Sequence, residues 1–282
     1  MVRQRQYGVA NIVAHPHPPG VYRKIFSTAS EIAEGTPFYG DYFARLSHPT
    51  VSEEGVFRGH LAIWTEVDQA EPIIFKESLK QNLIQDTDIT IPDNIGFNSK
   101  LFYFSFREID HTFFVELQND EGHTTSIGRV IDALDAIFKS IDLPDLDHID
   151  VYVKSQKDAV SRVLDLKMIR KIQIVINLPN PDDLQEGISR IYEELHKIGA
   201  KKLATEITKD RGQETLNLTL QYLAQAEIAK DNGFVESEGV NEVGEKVKLS
   251  TKDHPKIITL PFEEDDSGYR KIVEVARGIM DG

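Results

Sequence analysis

Residues 15–19 read His15-Pro16-His17-Pro18-Pro19, two imidazoles held two positions apart by proline. On an extended chain such a pair can face one side, and imidazole nitrogen is a common zinc ligand, so the run could supply half a metal site. The other half would have to come from Asp145, Asp147, His148 and Asp150. A rigid corner between a strand and a helix explains the same residues without a metal, and it is the preferred reading because isolated histidine pairs are weak motifs. A second group is cationic. Lys167, Arg170 and Lys171 precede or open one expected strand, Lys197 ends the helix that follows, and Lys201 and Lys202 open the next strand. A crossover helix that returned the chain to its starting edge would gather these six, with Lys246 and Lys248 extending the row, into a nucleic-acid-binding rim for phosphates. The bland alternative is that lysines near helix C-termini complement the helix dipole and keep the surface solvated. A third stretch, Lys100 to Arg107, resembles the aromatic strand of RNA-recognition motifs but lacks its glycine. Phe102, Phe104 and Phe106 share one strand face, the pattern of a core strand, and leave Tyr103 and Arg107 on the other.

Other chemistry is missing from the sequence. It has no Gly-x-Ser-x-Gly, P-loop, His-Glu-x-x-His or Gly-x-Gly-x-x-Gly pattern. It has no cysteine, which removes disulfides, thiolate nucleophiles and cysteine-ligated metals. An enzyme would need a metal–carboxylate site, so the expectation leans away from catalysis and names no cofactor. The chain has 282 residues, 40% hydrophobic and 28% charged, enough to build a real core. Its net charge of −14 opposes nonspecific adhesion to nucleic acid or anionic lipid unless cations are segregated. The first 145 residues carry 12 basic and 21 acidic side chains, the remainder 20 and 25. No run is long and apolar enough to cross a membrane, and no signal-peptide core opens the chain, so a cytoplasmic location without membrane insertion is expected.

The elements that must position these groups follow from periodicity. Tyr7 to Ala14 reads as a strand stopped by the proline run, and Val21 to Ala33 as a helix. Gly35 to Gly55 reads as loop with one strand fragment, Val56 to Val67 as a strand, and Pro72 to Thr90 is ambiguous. Leu101–Phe106 and Thr112–Leu117 form a hairpin, and Ile127 to Ile141 is a strong amphipathic helix. His148 to Lys154 is a strand, followed by a short helix to about Leu164. Arg170 to Leu178 is a strand. Asn180-Pro181-Asp182-Asp183 suits a helix start with Asn180 as cap, and Leu184 to Ile198 carries the apolar stripe. Leu203–Ile207 and Leu216–Leu220 alternate as strands, Gln221–Asp231 is a helix, and Phe234–Gly239 a strand. This β-α-β-β-α-β order is the ferredoxin-like arrangement. Lys246–Leu249 and Ile257–Leu260 add a ribbon. A last helix begins in Glu263-Glu264-Asp265-Asp266, carries Ile272, Val275 and Ile279, and is expected to return to the N-terminal part.

The segment Asn11 to Gly20 resembles the start of an uncharacterised bacterial and phage family whose members sit near defence genes. Separately, the order of Leu101–Leu117, the Ile127–Ile141 helix, Ile172–Asn180, the Leu216–Leu220 strand with its helix, and Phe234–Leu260 resembles the RexA-like phage-exclusion family over about two thirds of the chain. The resemblance implies a dimer of a globular domain with a swivelling smaller one, sequence-tolerant DNA binding and a role in excluding superinfecting phage. In that family the strand before the terminal ribbon carries basic residues thought to touch DNA. Here that strand is Phe234-Val235-Glu236-Ser237-Glu238 and acidic, so no residue carries over, and Lys171, Lys201, Lys202 and their neighbours are the better candidates.

The expected architecture is α+β: a mixed globular domain at 1–168 plus 261–282, with a ferredoxin-like (βαββαβ) swivel domain inserted at 169–260. The expected function is a non-enzymatic, sequence-tolerant DNA-binding protein of antiviral defence, acting as a homodimer. Two alternatives stand beside it. One is a metal-dependent hydrolase or nuclease using His15, His17 and a carboxylate. The other is a protein-interaction subunit of a multi-gene defence complex, its cationic rim meeting an acidic partner encoded nearby.

Overall fold

The computed structural model describes residues 3–52, 54–181, 186–263 and 265–278. Among the described residues it has six α-helices and fifteen strands. In chain order they are β1 (Arg3–His15), α1 (Val21–Ser30), β2 (Thr36–Tyr39), β3 (Tyr42–Leu46), β4 (Thr50–Val51), β5 (Val56–Thr65), β6 (Pro72–Phe75), β7 (Lys80–Leu83), β8 (Phe97–Arg107), β9 (Thr112–Glu116), α2 (Ile127–Ser140), β10 (His148–Val153), α3 (Ala159–Leu164), β11 (Met168–Asn177), α4 (Glu186–Lys197), β12 (Lys202–Thr208), α5 (Leu220–Asn232), β13 (Gly233–Val240), β14 (Lys246–Ser250), β15 (Ile257–Phe262) and α6 (Gly268–Gly278).

A nine-stranded antiparallel sheet runs β10-β1-β9-β8-β5-β3-β2, with β15 beside the first half of β1 and β4 beside β5. Strand β1 is its spine and is buried on both faces, which is why Tyr7 to Ala14 reads as a continuous apolar run. Ala10, Ile12 and Ala14 pack with α1 and α2 on one face. Tyr7 and Val9 meet Ile272, Val275 and Ala276 of α6 on the other. Phe102, Phe104 and Phe106 of β8 fill the α1/α2 side, as their spacing requires, and Arg107 on the opposite face lies over the Phe114 ring. The ambiguous segment after β5 is a separate two-stranded hairpin, β6-β7, inserted between β5 and β8.

A second, four-stranded antiparallel sheet runs β12-β11-β13-β14. Ile172, Ile174, Ile176 and Val235 pack against α3, α4 and α5. Three sequence expectations change here. Leu216 to Leu220 forms no strand. Leu216 and Leu218 instead pack against the helix-side core from an extended loop, and α5 starts at Leu220. With that strand gone, β12 pairs directly with β11, so the order is β-α-β-α-β-β and not the ferredoxin-like one. The expected ribbon also divides: β14 joins β13, whereas β15 crosses back to β1. Asn180 is buried against the first sheet, and the helix start expected at 182–184, with Asn180 as its cap, lies outside the described residues, as do Glu264 and Ile279.

Candidate functional site

The two sheets meet along the end of β1. Beyond Thr112 the partner strand β9 stops, which leaves the Ile12 carbonyl and Ala14 amide without a ladder neighbour on that side. The Asn180 carboxamide fills the gap. Its Oδ1 accepts from the Ala14 amide, its Nδ2 donates to the Ile12 carbonyl, and the Tyr22 hydroxyl donates to that carbonyl at 2.8 Å with Oδ1 3.3 Å away. A primary amide has the donor and acceptor of a peptide group, so it can substitute for a strand at one position.

Around this joint lies a group of histidines. In the β1–β10 ladder His15 stands opposite His148, with ring centroids 4.9 Å apart. His15 Nε2 donates to the Leu178 carbonyl at 3.0 Å, tying the imidazole to the second sheet. Burial lowers the His15 pKa, the Leu178 carbonyl opposing, so the ring stays neutral near pH 7. Burial lowers His148 likewise, against the pull of Asp150. His17 turns away from this pair and meets His111 and Tyr22 edge-on. Together His15, His17, His148, His196, Asp147 and Lys201 line a pocket of about 340 Å³. The structure therefore brings His15 to His148 and Asp150, whereas Asp145 is held by Lys24 at 2.7 Å. Among the described residues no three histidine or carboxylate groups are arranged to hold a metal ion. The proline run turns the chain from β1 into α1 and sets its two imidazoles against different partners, His15 on His148 and His17 on His111 and Tyr22.

On the other side of the joint is a larger cleft of about 750 Å³. Two connections between the sheets run side by side there. Lys256 N donates to the Lys154 carbonyl, Gln156 N to the His254 carbonyl, and Ser155 bridges to Pro255. They carry Lys154, Lys157 and Lys256 onto one wall, and α5 supplies Lys230 on the facing wall. Lys230 is neutralised by Asp231 at 2.9 Å and Glu227 at 3.5 Å. Lys154 Nζ donates to Thr112 Oγ1.

The eight expected phosphate-binding cations do not share a rim. Because β12 is antiparallel to β11 and adjacent to it, Lys202 pairs with Asn177 at the end of β11, while Lys171 pairs with Thr208 at its start. Six ladder steps of about 3.3 Å put these ends roughly 20 Å apart. Lys197, Lys201 and Lys202 lie at the joint. Lys167, Arg170, Lys171, Lys246 and Lys248 lie at the far end, where β11, β13 and β14 bring their registers together. Carboxylates occupy several of them: Lys171 meets Glu206 across the ladder at 2.9 Å, Lys248 meets Glu236 at 2.8 Å, and Lys201 meets Asp150 of the first sheet at 3.4 Å. The expectation of six converging cations required a parallel return of the chain, and the missing third strand removes it. Lys154, Lys157, Lys230 and Lys256 were not singled out from sequence. Lys154, Lys157 and Lys256 lie around connections a hundred residues apart and Lys230 on α5, and no local pattern joins them.

No curated protein matches the sequence. A family model described as a domain of unknown function, DUF4747, matches residues 3–277, nearly the whole length over which both sheets and the joint are built, and the chain belongs to that family.

Proposed function

We propose that the protein is a non-enzymatic, sequence-tolerant DNA-binding protein that holds phosphate backbone in the lysine-lined cleft between its sheets. The observation that carries this reading is the pair Lys157 and Lys256. Neither pairs with a carboxylate among the described residues, although acidic side chains outnumber basic ones 46 to 32. Cations left unmatched in a concave site on an acidic protein favour a polyanion there and repel it elsewhere. The lysines of the cleft supply charge, which fits positioning contacts to phosphate. The RexA-like resemblance supports phage exclusion as the setting, with a homodimer in which the second sheet swivels about the Asn180 joint.

Binding of duplex DNA measured across a salt series tests the cleft. Affinity should fall steeply with salt, with a slope of about −0.9 per phosphate neutralised. Lys157→Glu with Lys256→Glu should weaken binding at least tenfold and shallow that slope by about two units. Lys201→Glu with Lys202→Glu, at the opposite side of the joint, should change it little. Undiminished binding in the first double variant overturns the cleft. A larger loss in the second returns the assignment to the β12 end.

A further inference from the structure

A second cationic concavity lies away from the joint, where α6 crosses the outer face of the large sheet. Arg58 of β5 stands opposite Ser105 of β8 in the ladder, on the face away from α1 and α2. Ser105 Oγ donates to the Ile272 carbonyl, which fixes α6 beside it. Arg270, Val273, Glu274 and Arg277 recur at helical spacing and so share the side of α6 that borders Arg58. With Ser267 and Tyr269 these residues enclose a cleft of about 750 Å³, within the size range of small-molecule sites.

The charge in this cleft is unbalanced. Arg58 and Arg270 have no ion pair among the described residues, and Arg277 has a long one, 3.5 Å, to the exposed Glu54. Among the described residues the one carboxylate lining the cleft, Glu274, is engaged by Lys271 at 3.0 Å. Arg58 Nε is buried with no described residue in hydrogen-bond reach. Removing a guanidinium N–H from water without a partner is unfavourable, so such a group is a donor that favours an incoming acceptor. Arg58 lies on a strand paired on both sides, with its guanidinium 5.5 Å from the Tyr269 ring centre, so the donor is held on a rigid support. Tyr269 is braced edge-on by Tyr103 at 5.9 Å yet leaves 41% of its surface exposed.

We propose that this cleft is a binding site for a phosphate-bearing ligand, the three arginines taking the phosphoryl oxygens and the Tyr269 ring offering a stacking surface to an attached base. Guanidinium forks match phosphate oxygens in geometry and charge. Three of them call for a dianion or more, which a single carboxylate does not supply. A nucleotide, or the phosphorylated end of a nucleic-acid strand, carries both phosphate and base. The proposal is independent of the lysine cleft and involves none of its residues.

Calorimetric titration of the full chain with ADP, pyrophosphate, adenosine, and a short single-stranded oligonucleotide with and without a 5′-phosphate tests it. ADP and pyrophosphate should bind and adenosine should not. Arg270→Ala, an exposed change that leaves the fold intact, should weaken ADP at least tenfold, and Arg58→Lys should do so while keeping the charge. Preference for the 5′-phosphorylated strand over ADP identifies a strand end as the source of the phosphate, and the reverse preference a free nucleotide. Lys157→Glu with Lys256→Glu should leave ADP binding unchanged, which separates this site from the cleft. Absence of binding by every phosphorylated probe at millimolar concentration, or binding unaltered in Arg270→Ala, overturns the proposal.

Discussion

At the scale of single residues, Glu116 is a carboxylate held under electrostatic tension. It ends β9 with no exposure, between Arg5 at 3.1 Å and the Tyr103 amide, which donates to its Oε2 at 2.9 Å. Arg5 is itself packed on the Phe262 ring and shared with Asp120. Gly268 lets α6 approach this carboxylate, since a Cβ there would sit 2.3 Å from Glu116 Oε1. Burial pushes the Glu116 pKa from 4.5 up to about 7, outweighing the pull of the Tyr103 amide and Arg5. Between those values the folded chain keeps a proton that the unfolded chain has released. The group's contribution to stability is therefore complete below about 4.5 and is lost as pH rises through about 7. Its size is on the order of 3 kcal/mol. Urea unfolding from about pH 5 to about pH 8 should show this decline in the native protein, and Glu116→Gln should flatten it. An equal decline in both proteins would assign it to other groups.

At the scale of elements, the joint depends on one amide. Asn180 is 1% exposed, and Asn180→Ala would strip the Ala14 amide of its acceptor and the Ile12 carbonyl of a donor. Leaving such groups buried and unmatched costs about 2–3 kcal/mol. For a chain of this size that is roughly 5–10 °C in Tm. Amide exchange should locate the effect, with faster exchange at Ala14 in the variant. Unchanged exchange there would mean that the other ties, among them His15 to the Leu178 carbonyl and Lys201 to Asp150, hold the joint without the Asn180 amide. This residue also marks where the sequence stopped being legible. Its neighbours Pro181 and Asp182 form a local helix-start pattern, which carries no sign of the partners it also has more than 150 positions away. The strongly periodic elements were readable, including β1, the β8–β9 hairpin, α2, β11 and β13, because one buried face imposes a period on each. Leu216 to Leu220 shows the limit of that rule. Alternating leucines report burial, and here burial is met by packing on the helix-side core without any ladder, so the period was right and the strand was not. The lysine cleft was unreadable for the same reason as the Asn180 contacts: it is made by connections whose adjacency only the fold defines.

At the scale of the whole molecule, the large sheet closes without the segment between β5 and β8. Those strands pair from Val56↔Arg107 to Thr65↔Phe97, so the chain leaves and re-enters the sheet at hydrogen-bonded neighbours. What intervenes is the β6–β7 hairpin, whose strands pair only with each other among the described residues. Its Ile74, Phe75 and Leu79 are exposed, and Ile84 is the one buried large apolar side chain between residues 68 and 94. Residues 66 and 95–97 must stay, because Trp64 donates to Glu66 and packs closely on Gly96. Replacing residues 68–94 by an Asn-Gly turn should therefore leave the fold intact. Burial lost is small, and shortening the loop favours folding by on the order of 1–2 kcal/mol through closure entropy. The expected result is a Tm equal to or slightly above that of the intact protein, with salt-dependent DNA binding and ADP binding both retained, since neither the lysine cleft nor the arginine cleft draws a residue from this segment. A chain that melts many degrees lower would show instead that the hairpin belongs to the core of the large sheet, and loss of DNA binding with an unchanged Tm would move the binding surface onto the hairpin itself.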